Sequence, residues 1–319
     1  MEEADNIRIT LIGTGTIGLA FAALHLRYLN SPSHLTIYDP RPDLQSYIQS
    51  TLPSFLGSPS SASTIIPQIT IAHTLQSAVE HATIIQESGP ENLAFKKNLW
   101  KEVEQFAPQD ALLWSSTSGI PASLQAQDMS DKSRLIVVHP YNPPHIMPLL
   151  ELVPAPSTSP SVISRTQEFW TKHGRVPVHL KKEITGFVAN RLAFALLRES
   201  VHLVKEGVVG VEELDRIVET SMGPRWAVAG PFKSYHAGGG AGGLEGFFKN
   251  IGGTIDDIWK DLGQERMGEG WEGKIWEETK AAYGVVDTEE RDRITRRILE
   301  VIEEEKNKTA KLKDMSKES

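Results

Sequence analysis

The sequence contains no cysteine. That excludes a disulfide framework, a thiolate metal site and a cysteine nucleophile. It also lacks a surplus of positive charge: 33 Lys and Arg stand against 41 Asp and Glu, for a net charge of −8. Such a balance argues against nucleic acid or an anionic membrane as partner. There is no long hydrophobic run either. The longest uncharged apolar run, Leu11 to Leu24, is too short and too glycine-rich to span a membrane. The start, Met-Glu-Glu-Ala-Asp, lacks the basic-then-apolar pattern of a signal peptide. The end, Ser-Lys-Glu-Ser, is no peroxisomal address. A soluble cytoplasmic protein is expected, and its 319 residues are enough for two domains, each with its own core.

What is present begins at Ile7-Arg-Ile-Thr-Leu-Ile-Gly13-Thr-Gly15-Thr16-Ile17-Gly18. An apolar, β-branched run leads straight into three glycines spaced G-x-G-x-x-G, and a run rich in Ala and Leu follows. A strand turning sharply into a helix N-terminus is what a dinucleotide pyrophosphate needs. The first glycine makes the turn, the second lets backbone approach phosphate, and the third lets the helix pack on the strand. Gly13, Gly15, Thr16, Ile17 and Gly18 are therefore candidate cofactor contacts. A second strand, His34 to Asp39, ends in an acid 21 residues beyond Gly18. That is the reach of a carboxylate that bonds the adenosine ribose, and its charge favours NAD over NADP. Arg41 is the nearby cation, able to stack on adenine or pair with a 2′-phosphate.

Further along, strands are expected at 68–72, 83–87, 111–115, 135–139, 149–153 and 175–180. Helices are expected at 43–52, 91–106 and 161–173, with a helix ending at 78–81. The serine- and proline-rich stretch 54–67 reads as a loop. Alternating strands and helices predict a Rossmann-type, doubly wound parallel sheet covered on both faces, with ligands beyond the carboxyl ends of its strands. From Gly186 onward apolar residues recur at helical spacing, and helices are expected at 186–207, 211–220, 244–262, 270–283 and 288–304. The expected organisation is a dinucleotide-binding domain over 1–182, an all-helical substrate and dimerisation domain over 183–306, and a charged, disordered tail over 307–319.

Ser115-Ser-Thr-Ser118, His139-Pro-Tyr-Asn142-Pro-Pro, Glu151-Leu-Val and Gly186-Phe-Val-Ala-Asn190-Arg form a constellation. Oxidation of an alcohol by NAD needs a base for the hydroxyl proton, and histidine is the usual choice. It also needs donors around the developing carbonyl oxygen. His139 ends a strand on the ligand side. Glu151, twelve residues later, is placed to bond the second ring nitrogen. Each residue alone has a plainer role: a turn for His139, a surface acid for Glu151, a helix cap for Ser118, a packing residue for Asn190. A metal at His139, His145 and Glu151 is conceivable, but nothing in the spacing fixes a tetrahedral site.

These segments resemble the L-3-hydroxyacyl-CoA dehydrogenase family, over nearly the whole chain from Ile7 to about Lys306. They resemble most its branch of L-gulonate 3-dehydrogenase (lambda-crystallin) and L-carnitine dehydrogenase. Leu149-Leu-Glu-Leu-Val-Pro154, Glu183 to Leu192, Gly230-Pro-Phe and the E-x-x-x-E-N-x-x-x-K stretch from Glu87 to Lys96 also carry the likeness. The resemblance implies that His139 is the general base, with Glu151 as its orienting partner. It implies that Ser118 and Asn190 hold the substrate oxygen and that Asn142 shapes the site. Glu91 and Lys96 would contact the cofactor, and the helical domain would form a homodimer. Two departures stand out: Ser116, where the acyl-CoA enzymes usually carry Asn, and Gly119.

The acyl-CoA members meet the CoA phosphates with lysines after the second strand. Here residues 42–83 contain no Lys or Arg, so a small 3-hydroxy carboxylate is the better fit. Arg225, in Gly-Pro-Arg-Trp, could grip its carboxylate in two places, or serve in a salt bridge. Gulonate would want polar partners and carnitine an aromatic cage, to which Trp226, Tyr235 and Phe247 could contribute; the sequence leaves both open. The alternatives are a short-chain L-3-hydroxyacyl-CoA dehydrogenase, a non-catalytic NAD-binding protein, or a lysine-based hydroxyacid dehydrogenase. The last would want a lysine near Asn190.

Overall fold

The computed structural model describes residues 7–57 and 59–315. Strand β1 (Ile9–Ile12) is buried along its whole length, because both faces of the sheet around it are covered. It pairs in parallel with β2 (Leu35–Tyr38) on one side and β4 (Ile84–Glu87) on the other. The remaining strands are β3 (Thr70–Ile71), β5 (Leu112–Ser115), β6 (Leu135–Pro140), β7 (Leu149–Pro154) and β8 (Val176–His179). They form one sheet in the order β3-β2-β1-β4-β5-β6-β7-β8. The order turns about at β1, and such a switch point opens a crevice at the carboxyl ends of the strands.

The sheet is not wholly parallel: β7 runs antiparallel to β6 and places Glu151 directly opposite His139. Residues 141–148 are too few for the crossover of about a dozen residues that a parallel return requires.

On one face α1 (Thr16–His25), α2 (Leu44–Leu56) and α7 (Pro160–Lys172) pack Phe21, Ile48 and Trp170 against the sheet. The other face is covered by α4 (Leu75–Val79), α5 (Leu93–Phe106) and α6 (Ala122–Gln125), with Trp100 and Val103 inside. The stretch expected as a loop is largely helical. Helix α2 runs on through Pro53 to a left-handed Gly57, and α3 (Pro59–Ile65) follows. Burial of Leu44, Ile48 and Leu52 on one face of α2 outweighs the interior proline.

The chain divides into compact units between Asn190 and Arg191, eight residues beyond the boundary expected at Lys182. Gly186 and Phe187 both have positive φ, 73° and 51°, and the Phe187 ring is wholly buried beneath the sheet. That anchors residues 183–190 to the first unit and delays α8 to Ala189–Lys205.

The second unit continues with α9 (Val211–Thr220), α10 (Met222–Val228), α11 (Pro231–Gly238), α12 (Gly243–Asp261), α13 (Glu272–Tyr283) and α14 (Thr288–Met315). Helices α10 and α11 were not expected, although Gly230-Pro231 is a helix start, with proline at the first helical position. Tyr283 donates to Asp215 at 2.7 Å and ties α13 to α9. The supposed tail is also helical as far as Met315. Its lysines favour helix, and Lys308 pairs with Glu305, just before the tail, at 2.6 Å; residues 316–319 lie outside the described ones. Among the described residues no helix is long and apolar enough to cross a membrane.

Candidate active site

The glycine turn closes between β1 and α1. A Cβ on Gly13, whose φ is +97°, would stand 2.8 Å from the Ser88 backbone, and one on Gly18 would stand 2.1 Å from the Gly13 carbonyl oxygen. A Cβ on Gly15 would meet nothing within 4 Å. Two glycines thus let backbone pack on backbone, while the middle one keeps open the place where a phosphate approaches the N-terminus of α1. Thr16 and Ile17 are the first two residues of that helix. At the end of β2, Asp39 Oδ2 accepts from the Thr14 amide and the Thr14 hydroxyl, both at 2.8 Å. Arg41 is paired with Asp43 at 2.8 Å and lies over the Tyr47 ring. Asp39 is therefore braced to the glycine turn, whereas Arg41 is held by its own neighbours.

Beyond β4 and β5 a second cluster forms. Glu91 Oε1 accepts from Thr117 Oγ1 at 2.5 Å, from the Ser118 and Gly119 amides at 3.1 Å, and from Ser118 Oγ at 3.3 Å. Burial works to raise the Glu91 carboxyl, but the Thr117 bond, the Lys96 charge and the two amides outweigh it and hold the group below its ordinary value. Lys96 is only 1% exposed and is bonded to both Glu87 oxygens at 2.7 and 2.9 Å. It stands behind Glu91, at 3.6 Å.

The third cluster is the pair facing each other across β6 and β7. His139 Nδ1 lies 2.8 Å from Glu151 Oε2. The other oxygen, Oε1, accepts from the Val188 amide at 2.8 Å and the Ala189 amide at 3.0 Å. Burial pushes the Glu151 carboxyl up, yet the bonds from His139, Ala189 and Val188 prevail and keep it below its ordinary value. An ionised carboxylate can only accept, so His139 donates from Nδ1, and in the neutral form of the ring Nε2 then carries the lone pair.

Asn190 Nδ2 donates to the Ser118 carbonyl at 3.4 Å, bringing those two residues together. Asn142 is exposed and precedes a cis peptide bond to Pro143. Arg225 lies on α10 in the helical unit, exposed and with no ion pair among the described residues. Among the described residues no group of three or more His, Cys, Asp or Glu is placed to hold a metal ion. Sequence reasoning missed Thr117, although it stands inside the Ser-Ser-Thr-Ser motif. It also missed Arg175, whose guanidinium donates to the Pro144 carbonyl at 2.8 Å and to the Met147 carbonyl, pinning the loop between β6 and β7.

Residues 8–184 match the NAD binding domain of 3-hydroxyacyl-CoA dehydrogenase, and residues 186–276 match its C-terminal domain. The chain belongs to the 3-hydroxyacyl-CoA dehydrogenase family. As a member of that family it is an NAD-dependent oxidoreductase, and the open face at Gly15 beside a braced Asp39 fits that cofactor. It is 34% identical to an L-carnitine dehydrogenase of Streptomyces griseus subsp. griseus, over 80% of this chain and 76% of that one. To a 3-hydroxyacyl-CoA dehydrogenase of Gibberella moniliformis it is 33% identical, over 91% and 93% respectively. Among solved structures it is similar to 5-formyl-3-hydroxy-2-methylpyridine 4-carboxylic acid 5-dehydrogenase, described as an NAD+ dependent dismutase. The TM-score there is 0.77 and the identity 28%, covering 93% of this chain and 99% of that one.

Proposed function

We propose that this family member oxidises the 3-hydroxyl of a small 3-hydroxy carboxylate to the 3-keto acid, with L-carnitine the first substrate to test and L-gulonate the second. The observation that carries the reading is the His139–Glu151 pair, with the carboxylate fixed from behind by two backbone amides. In this reading His139 Nε2 takes the hydroxyl proton, and the resulting imidazolium is stabilised by Glu151. NAD, when bound, supplies the hydride acceptor. Ser118 and Asn190 donate to the oxygen as it becomes a carbonyl. The Ser118 hydroxyl is held to Glu91 only at 3.3 Å, a long contact that is readily exchanged for a substrate oxygen. Glu91 and Asp39 serve the two riboses of the cofactor, Lys96 holds Glu87 and Glu91 in place, and Asn142 lies at the rim.

Arg225 is proposed as the grip on the carboxylate. Two things support a small acid over a CoA thioester: the relatives named L-carnitine dehydrogenase, and the absence of Lys and Arg from residues 42–83. The helical unit exposes Phe232 at 78%, Trp259 at 63% and Trp276 at 63%. Apolar surface on that scale supports the homodimer. The deciding experiment is NADH formation with L-carnitine, L-gulonate and L-3-hydroxybutyrate, beside NADH consumption with acetoacetyl-CoA. Turnover of a free hydroxy acid, with acetoacetyl-CoA inert, is the expected outcome. The reverse pattern defeats the proposal.

A further inference from the structure

A polar chain, buried at its inner end, runs along one face of the sheet behind the site. His25 of α1 and Gln86 of β4 are both 0% exposed, and His25 Nε2 lies 2.7 Å from Gln86 Oε1. The other end of that amide, Gln86 Nε2, donates to Ser116 Oγ at 3.0 Å. Ser116 Oγ also accepts from Ser88 Oγ at 3.2 Å. Burial lowers the His25 imidazole to about 4, against the hydrogen bond to Gln86, so the ring is neutral and carries one proton.

That proton fixes which way the amide faces. His25 Nδ1 is buried without a partner. With Nε2–H donating to Gln86 Oε1, Nδ1 is a bare lone pair. The flipped amide would move the proton to Nδ1 and bury a donor with nothing to receive it, which proteins tolerate less well. The amide nitrogen therefore faces Ser116.

A hydroxyl has two lone pairs and one proton. Gln86 and Ser88 occupy both lone pairs of Ser116, and among the described residues nothing accepts its proton. The sheet order shows what passes nearby when the cofactor is bound. The glycine turn that receives the pyrophosphate follows β1, and His139 lies on β6. Between them come β4 and β5, a span of roughly 14 Å at ordinary strand spacing. The nicotinamide half of NAD must cross the tips of those two strands, and the residues there are Ser88 and Ser116.

We propose that Ser116 donates its hydroxyl proton to the nicotinamide half of bound NAD, and that Gln86, backed by His25, is the positioning residue that aims it. The inference rests on NAD as cofactor and is independent of the identity of the hydroxy acid. It also gives the serine found where the acyl-CoA enzymes carry asparagine a task of its own.

The test compares two ligands on the same variants. NADH contains the nicotinamide riboside, whereas ADP keeps the adenosine and the pyrophosphate but lacks it. In Ser116→Ala the dissociation constant for NADH rises about three- to tenfold, the loss of one hydrogen bond, while that for ADP is unchanged. Gln86→Met gives a similar rise, and the double variant is no worse than either single one. Wild-type NADH affinity in Ser116→Ala, or a parallel loss for ADP, overturns the proposal. Normal binding of both ligands by Gln86→Met overturns the aiming role. Because Gln86 is buried and its replacement could fail to fold, the Ser116→Ala comparison decides the proposal by itself.

Discussion

His139 and Glu151 are direct partners across β6 and β7, their side chains 2.8 Å apart although twelve residues separate them in sequence. The short return between the strands makes the pair, and the backbone amides of residues 188 and 189 keep it from swinging. Replacing His139 by Gln removes the proposed base and keeps the shape. The expected loss in kcat is about 10²- to 10⁴-fold, with the affinity for NADH retained. Stopped-flow hydride transfer and NADH titration measure the two quantities, and a variant within threefold of wild type would show that another group takes the proton.

Glu151→Gln is expected to lose rate and stability together. A neutral amide cannot stabilise the imidazolium, and it is a poorer acceptor for the Val188 and Ala189 amides. We expect kcat to fall at least about tenfold, with a lower Tm. A variant that loses rate with an unchanged Tm would show that the two backbone bonds add nothing to folding.

The glycine turn offers a sharper contrast. Gly18→Ala would push a methyl group to 2.1 Å from the Gly13 carbonyl oxygen, whereas Gly15→Ala meets nothing within 4 Å. The first variant should lose stability. The second should keep a wild-type Tm yet bind both NADH and ADP more weakly, because its methyl stands where phosphate approaches. Equal Tm losses in the two would contradict the packing described for this turn.

Acid should weaken the protein through identifiable groups. Glu91 and Glu151 are both held below their ordinary value of 4.5, and Glu265, bonded by His202, is held at about 2. A depressed carboxyl contributes stability that is fully present above its unfolded value and is lost as pH falls through the folded one. Urea midpoints should therefore decline from about pH 5 downward. Glu265→Gln should flatten the acid limb below pH 4, where its carboxylate is still charged in the folded protein. An unchanged limb would remove Glu265 from the account.

Much of this was legible in the sequence, and the rest was hidden for physical reasons. The β1 run, the glycines and Asp39 are local signals whose spacing is fixed by the turn itself. His139 and Glu151 could be placed because each ends or faces a strand. The antiparallel return was not read: a parallel sheet was expected, because the strand pattern alone does not carry direction, and only the short connection excludes a crossover. Residues 54–65 misled because serine and proline mark loops, while the stripe of Leu44, Ile48 and Leu52 had already committed α2. Gln86 and His25 were invisible. They lie 61 residues apart, and only the packing of α1 on β4 brings them into contact.

The return from β6 to β7 has one more consequence. Since His139 and Glu151, the proposed acid–base pair, sit on a single hairpin, their mutual contact joins near neighbours in the chain and forms at small entropic cost. Residues that choose a substrate can then change in distant segments without disturbing the acid–base machinery. On the proposed function, a short ribbon of this kind would keep its acid–base pair while the surrounding scaffold is re-tailored to one hydroxy acid or another.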